Sequence, residues 1–175
     1  SDQPAGFTLL GRMALSYDGP PAPKLLEYNA DTPTACLEAS VAQWQWLQAV
    51  RPGADQFNSL HEKLIAAWQI LRTRSRASRL HFTAVGDSQE DWGNLDYLRD
   101  TAMQAGWQTF SLPVERIGWN GSKFVDEFNL PIETLVKLYP WEWLVREDFG
   151  PALLASTMQL IEPAWKMLLS NKAIL

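Results

Sequence analysis

Apolar positions change period several times along this chain, and each change marks an element. Residues 10–18 and 24–29 read as short strands on either side of the turn cluster Asp18-Gly19-Pro20-Pro21, so the chain opens on an antiparallel hairpin with a long loop. Alternate strand residues share a face. Glu27 and Asn29 therefore point one way, and Leu26 and Tyr28 the other. If Arg12 stands opposite Asn29 and Ala14 opposite Glu27, all four share a face, and a slip of one residue would separate them. Leu37, Val41, Trp44 and Leu47 follow the helical repeat and predict a helix over 35–49, ended by Arg51-Pro52-Gly53, with Thr32 or Thr34 as its cap. Phe57, Leu60, Leu64, Trp68 and Leu71 predict a second helix over 56–74.

The middle of the chain alternates strand and helix. Residues 80–85 read as a buried strand. The acidic segment 87–91 leads into a helix that ends near Ala105 with Gly106 as its C-cap, and residues 107–112 return as a strand. Short connections around one helix imply parallel strands and a right-handed crossover. Beyond the Asn120-Gly121 turn come a small edge strand over 123–125 and a strand over 134–138. Helical pieces follow over 141–147, 150–160 and 163–169. The fold class is α/β: a small mixed, partly parallel sheet covered by helices.

Composition narrows the function. The 175 residues are 46% hydrophobic with a net charge of -5 and no long run of one sign, which argues against a nucleic-acid surface. No apolar stretch approaches the length of a membrane span, and a single cysteine excludes an internal disulfide. Trp44, Trp68 and Trp165, three of the nine tryptophans, lie on helical apolar stripes and read as core anchors. Arg72, Arg74, Arg76 and Arg79 cluster at the end of the second helix, where cations complement its dipole. The chain starts Ser-Asp-Gln-Pro and ends on apolar residues, so it reads as a piece of a longer protein.

Candidate chemistry gathers on the hairpin. A carboxylate and an amide oxygen side by side, Glu27 and Asn29, are hard ligands suited to Mg²⁺, and the helix start after them favours an anion. His61 and His81 have no ligand partner at metal spacing and read as structural. Cys36 sits at a helix start without a His neighbour, and Lys137 reads as solvated or paired.

Gly11-Arg12-Met13-Ala14, then LLEYNADTPT, Glu38 and Gln43-Trp44-x-Trp46-Leu47, then Lys137-Leu138-Tyr139-Pro140-Trp141-Glu142-Trp143 and Ser170-Asn171-Lys172, resemble the glutathionylspermidine synthase family in order and spacing. The resemblance covers nearly the whole chain. It implies a pre-ATP-grasp-like α/β domain over 1–150 and the beginning of an ATP-grasp region over 151–175, with the rest of that region beyond Leu175. It further implies a cytoplasmic ATP-dependent carboxylate–amine ligase that uses ATP and Mg²⁺ and forms an amide through an acyl phosphate. By the same resemblance Arg12 steadies charge on the transferred phosphoryl group, Glu27 and Asn29 bind metal, and Lys172 contacts ATP. Thr32 and Thr34 lie near glutathione, and Glu90 and Asp91 near a polyamine. The family usually carries an Asp where this chain has Ala14, which leaves Glu27 as the only anion on that face. The isolated chain is expected to be inactive. The alternative, favoured by Ala14, is a non-catalytic peptide- or polyamine-binding module. A dinucleotide-binding domain lacks its Gly-rich fingerprint here.

Overall fold

The computed structural model describes residues 6–174. β1 (Arg12–Ser16) and β2 (Lys24–Asn29) pair antiparallel, with Arg12 opposite Asn29 and Ala14 opposite Glu27. This is the register expected from the alternation of side chains, and a bulge between Ala14 and Leu15 shifts only the far end of the ladder. The chain then turns helical through a π-wound segment, Glu38–Ala42, that continues into α1 (Gln43–Val50). Neither threonine caps this helix; Asn94 Oδ1 instead accepts the Ala35 N–H at 2.9 Å. α2 (Leu60–Arg74) starts four residues later than expected, because Asn58 turns the chain by accepting the Leu60 N–H at 3.2 Å.

β3 (Arg79–Thr83), α3 (Gln89–Gln104) and β4 (Gln108–Ser111) form the expected strand–helix–strand unit with parallel strands. β5 (Gly118–Trp119) and β6 (Phe124–Val125) make a small hairpin. β7 (Thr134–Lys137) joins the other edge of β3 and β8 (Gln159–Ile161) joins β7, giving one parallel sheet in the order β4-β3-β7-β8. Among the described residues antiparallel ladders are confined to the two separate hairpins, with one isolated antiparallel bridge between Val125 and Pro131.

β8 corrects the expectation of one helix over 150–160. Helix α5 (Gly150–Ala155) stops at Ser156, whose Oγ accepts the Met158 N–H at 3.3 Å, and the chain re-enters the sheet extended. α4 (Trp141–Leu144) and α6 (Lys166–Ser170) complete the fold.

Strand alternation splits the interior in two. Leu80, Phe82, Val136 and Ile161 face a core built with Leu64, Trp68 and Leu71 of α2 and Leu95, Leu98 and Ala102 of α3. Leu135 and Leu160 face a second core with Trp141, Leu144 and Leu153. Both faces are covered, as a parallel sheet requires. Trp68 is fully buried, and its ring N–H donates to Thr101 Oγ1 at 3.0 Å. Trp44 and Trp165 depart from their expected core role: they are 39% and 46% exposed. Helical periodicity assigns them a face, but the described residues cover only part of each ring.

Candidate active site

The C-terminal ends of β7 and β8 carry two buried Lys–carboxylate pairs. Lys137, the last residue of β7, is buried and donates to Asp31 Oδ1 at 2.5 Å. Asp31 Oδ2 accepts the Trp141 N–H at 2.8 Å, and the Lys137 ammonium lies 5.4 Å from the Trp141 ring centroid. Burial holds the Lys137 ammonium below its ordinary range, and Asp31 opposes that shift. Asp31 follows the hairpin directly, so this pair fixes where β2 ends.

A second buried pair fixes where β1 begins. Glu162, just past β8, accepts the Leu9 and Leu10 N–H groups at 3.0–3.2 Å and Lys166 Nζ at 2.6 Å. Lys166 also donates to the Leu10 carbonyl at 2.5 Å. Burial pushes the Glu162 carboxyl up, and its three donors pull it back. Ser170 Oγ, at the end of α6, accepts the Ala30 and Asp31 N–H groups at 3.0 and 2.9 Å.

These ties present one face of the hairpin. Arg12 is exposed, and Glu27 and Asn29 are half-buried. Lys172 extends from the 3₁₀ turn Lys172–Ile174, with its Nζ 3.7 Å from Glu27 Oε2. Thr32 and Thr34 follow, half-buried, and among the described residues neither hydroxyl makes a hydrogen bond within the protein. Glu90 and Asp91 lie in the first turn of α3, where Ser88 Oγ donates to Asp91 Oδ2 at 2.7 Å. Asn94 joins that turn to the threonine segment: its Nδ2 donates to the Glu90 carbonyl at 3.0 Å, while its Oδ1 holds Ala35. Arg12, Glu27 and Asn29 thus share the hairpin, Lys172 reaches Glu27 from the C-terminal turn, and the threonine segment links the hairpin to the acidic turn.

Asp31 and Ser170 fall within the motifs quoted above without an assigned role, and Asn94, Glu162 and Lys166 lie outside those motifs. Glu162 and Lys166 carry a legible signal, the i,i+4 spacing of an acid before a base. Asp31 and Lys137 lie 106 residues apart and carry none.

Two kinds of bound group can be tested against this geometry. Arg12 is an exposed cation and Lys172 a largely exposed one paired loosely with Glu27, a donor set that fits a polyphosphate. Magnesium fits less well. Ala14 stands opposite Glu27, and an ammonium already faces that carboxylate. Among the described residues no group of three or more acids, histidines or cysteines could hold a metal. One carboxylate and one amide fall short of the six oxygens magnesium prefers.

Cys36 has no role here. It is buried, and burial followed by the Glu38 charge pushes its thiol up to about 11. The unfolded thiol ionises first, so stability should fall as pH rises from about 9 to about 11. Denaturation midpoints at pH 8.5 and 10.5 check this: Cys36→Ala should flatten the loss, and an unchanged slope would refute it.

No helix among the described residues is long and apolar enough to cross a membrane. Residues 1–175 match the family model described as glutathionylspermidine synthase preATP-grasp. The chain is 51% identical over 172 residues to a Haemophilus influenzae protein named "Putative acid--amine ligase", an alignment that covers 95% of this chain and 44% of that protein. The chain therefore spans less than half the length of this curated relative. With the LLEYNADTPT strand end placed beside Arg12 and Lys172, and a parallel α/β sheet behind it, the chain belongs to the glutathionylspermidine synthase preATP-grasp family.

Proposed function

We propose that the full-length protein is an ATP-dependent acid–amine ligase, and that this chain supplies the phosphoryl-facing side of its active site. The observation that carries this reading is the single hairpin face on which Arg12, Asn29 and Glu27 are in register with Lys172 beside them. ATP, when bound, would supply the phosphoryl group that activates a carboxylate, with ADP leaving; the amine would then attack the activated carbonyl carbon and displace phosphate, leaving the amide. Such chemistry needs positioning and charge neutralisation more than a nucleophile. Arg12 offers a planar fork to the phosphoryl oxygens and never loses its charge. Glu27 holds Lys172 at the same face. Thr32 and Thr34 have hydroxyls to offer an acid substrate, for which a thiol peptide such as glutathione is our choice. Glu90 and Asp91 suit a cationic amine, for which we choose a polyamine. A complete magnesium site would need carboxylates from outside this chain.

The test uses the full-length protein with MgATP, glutathione and spermidine, reading ADP release and the amide by mass spectrometry. Turnover is expected, with Arg12→Ala lowering kcat by about 10²–10³-fold and the isolated chain staying at background. Ala14 favours a second reading, a non-catalytic binder. Calorimetric binding of either substrate without ADP release from the full-length protein would select it.

A further inference from the structure

The opposite end of the sheet holds a cleft that the ligase reading does not use. Its volume is about 460 Å³, within the range of small-molecule sites. It lies where β7 and β8 begin, at Thr134 and Gln159, away from Lys137 and Asp31. Three cations line it: Arg74 from the last turn of α2, Arg76 from the segment beyond, and Lys123 from the turn before β6. Ser122 and Thr157 add hydroxyls, and Glu133 is the one carboxylate in the lining. Among the described residues none of the three cations takes part in an ion pair. α2 ends at Arg74, so its dipole accounts for Arg74 but, contrary to the sequence expectation, not for Arg76, two residues past that end, nor for Lys123. A local excess of positive charge is notable in a chain of net charge -5.

We propose that this cleft binds a small polyanion, a phosphate ester or polycarboxylate, through Arg74, Arg76 and Lys123. Guanidinium forks and hydroxyls converging from separate segments match multiply charged oxyanions. Glu133 opposes the same ligand and so limits its affinity. The proposal stands apart from the hairpin face, whose cations are Arg12 and Lys172.

The probe is inorganic pyrophosphate, titrated into the 175-residue chain at constant ionic strength and read by calorimetry and thermal melts, with citrate as a second arm. The ratio of the two affinities assigns the oxyanion type. Saturable binding is expected. The double change Arg74→Gln and Arg76→Gln should weaken it by about tenfold or more. Glu133→Gln should tighten it several-fold. All three positions are exposed, so these variants should keep the fold, which circular dichroism checks. Changing Arg12→Gln with Lys172→Gln removes any pyrophosphate held at the hairpin face and should leave the saturable binding that depends on Arg74 and Arg76. Absence of saturable binding, indifference to the Arg74 and Arg76 changes, or loss in the Arg12 and Lys172 variant would each overturn the proposal.

Discussion

Lys137→Met lowers the stability of the chain by about 3–5 kcal/mol, the usual cost of breaking a buried ion pair from one side. The Lys137 side chain is fully buried, and its ammonium is the only charged partner of Asp31 among the described residues. Removing it leaves a buried carboxylate with the Trp141 N–H alone. Most of the loss comes from that stranded charge and not from the value of the pair, so removing both charges should cost less than removing one. Asp31→Asn keeps an acceptor for Trp141. The double variant Asp31→Asn with Lys137→Met should therefore recover a substantial part of the loss. Urea denaturation midpoints at constant slope decide it. A double variant as unstable as the sum of the singles would show that the two residues act independently.

Glu162→Ala should cost a similar amount, about 3–5 kcal/mol. It strands Lys166 in the interior with only the Leu10 carbonyl, and it removes the acceptor of two N–H groups. Glu162→Gln separates these effects, because the amide oxygen can still accept from Leu9 and Leu10 while the charge is gone. It should fall between wild type and alanine. Glu142→Ala, an exposed carboxylate on α4, should stay within about 0.5 kcal/mol of wild type. If Glu162→Ala behaves like Glu142→Ala in urea, the buried pair does not anchor the start of β1.

What was legible in the sequence is what depends on neighbours. The hairpin register follows from a turn cluster flanked by alternating residues, and the β3–α3–β4 unit follows from periodicity and Gly106. β8 was not legible. It is three residues long, and its extended shape comes from pairing with β7, more than twenty residues earlier. Trp44 lies on α1 as its periodicity implied, whereas Trp165 only precedes the short α6; burial depends on what packs against a ring, and the described residues cover each only in part. Of the site, the polar residues on β2 could be read directly. The groups that hold them, Asp31 with Lys137 and Ser170 with Ala30, depend on contacts across more than a hundred residues.

β1 and β2 share no ladder with the parallel sheet. The buried ties described above meet the hairpin at one end, through Leu9, Leu10, Ala30 and Asp31, and only the exposed Lys172–Glu27 pair lies further along it. Treated as a rigid arm, the hairpin has its pivot at the buried ion pairs and its mostly exposed loop at the far end. An arm of five or six residues is roughly 17–20 Å long, so a tilt of about 10° at the pivot swings the loop by about 3 Å. Arg12 and Asn29 form the rung nearest the pivot and move by less than about 1 Å in the same tilt. Ala14 and Glu27 occupy a rung further out, so any tilt changes the position of Glu27 more than that of Arg12. The cation proposed to meet the phosphoryl group therefore sits where the arm moves least, and the carboxylate that faces Lys172 sits where a small rotation begins to alter its distance.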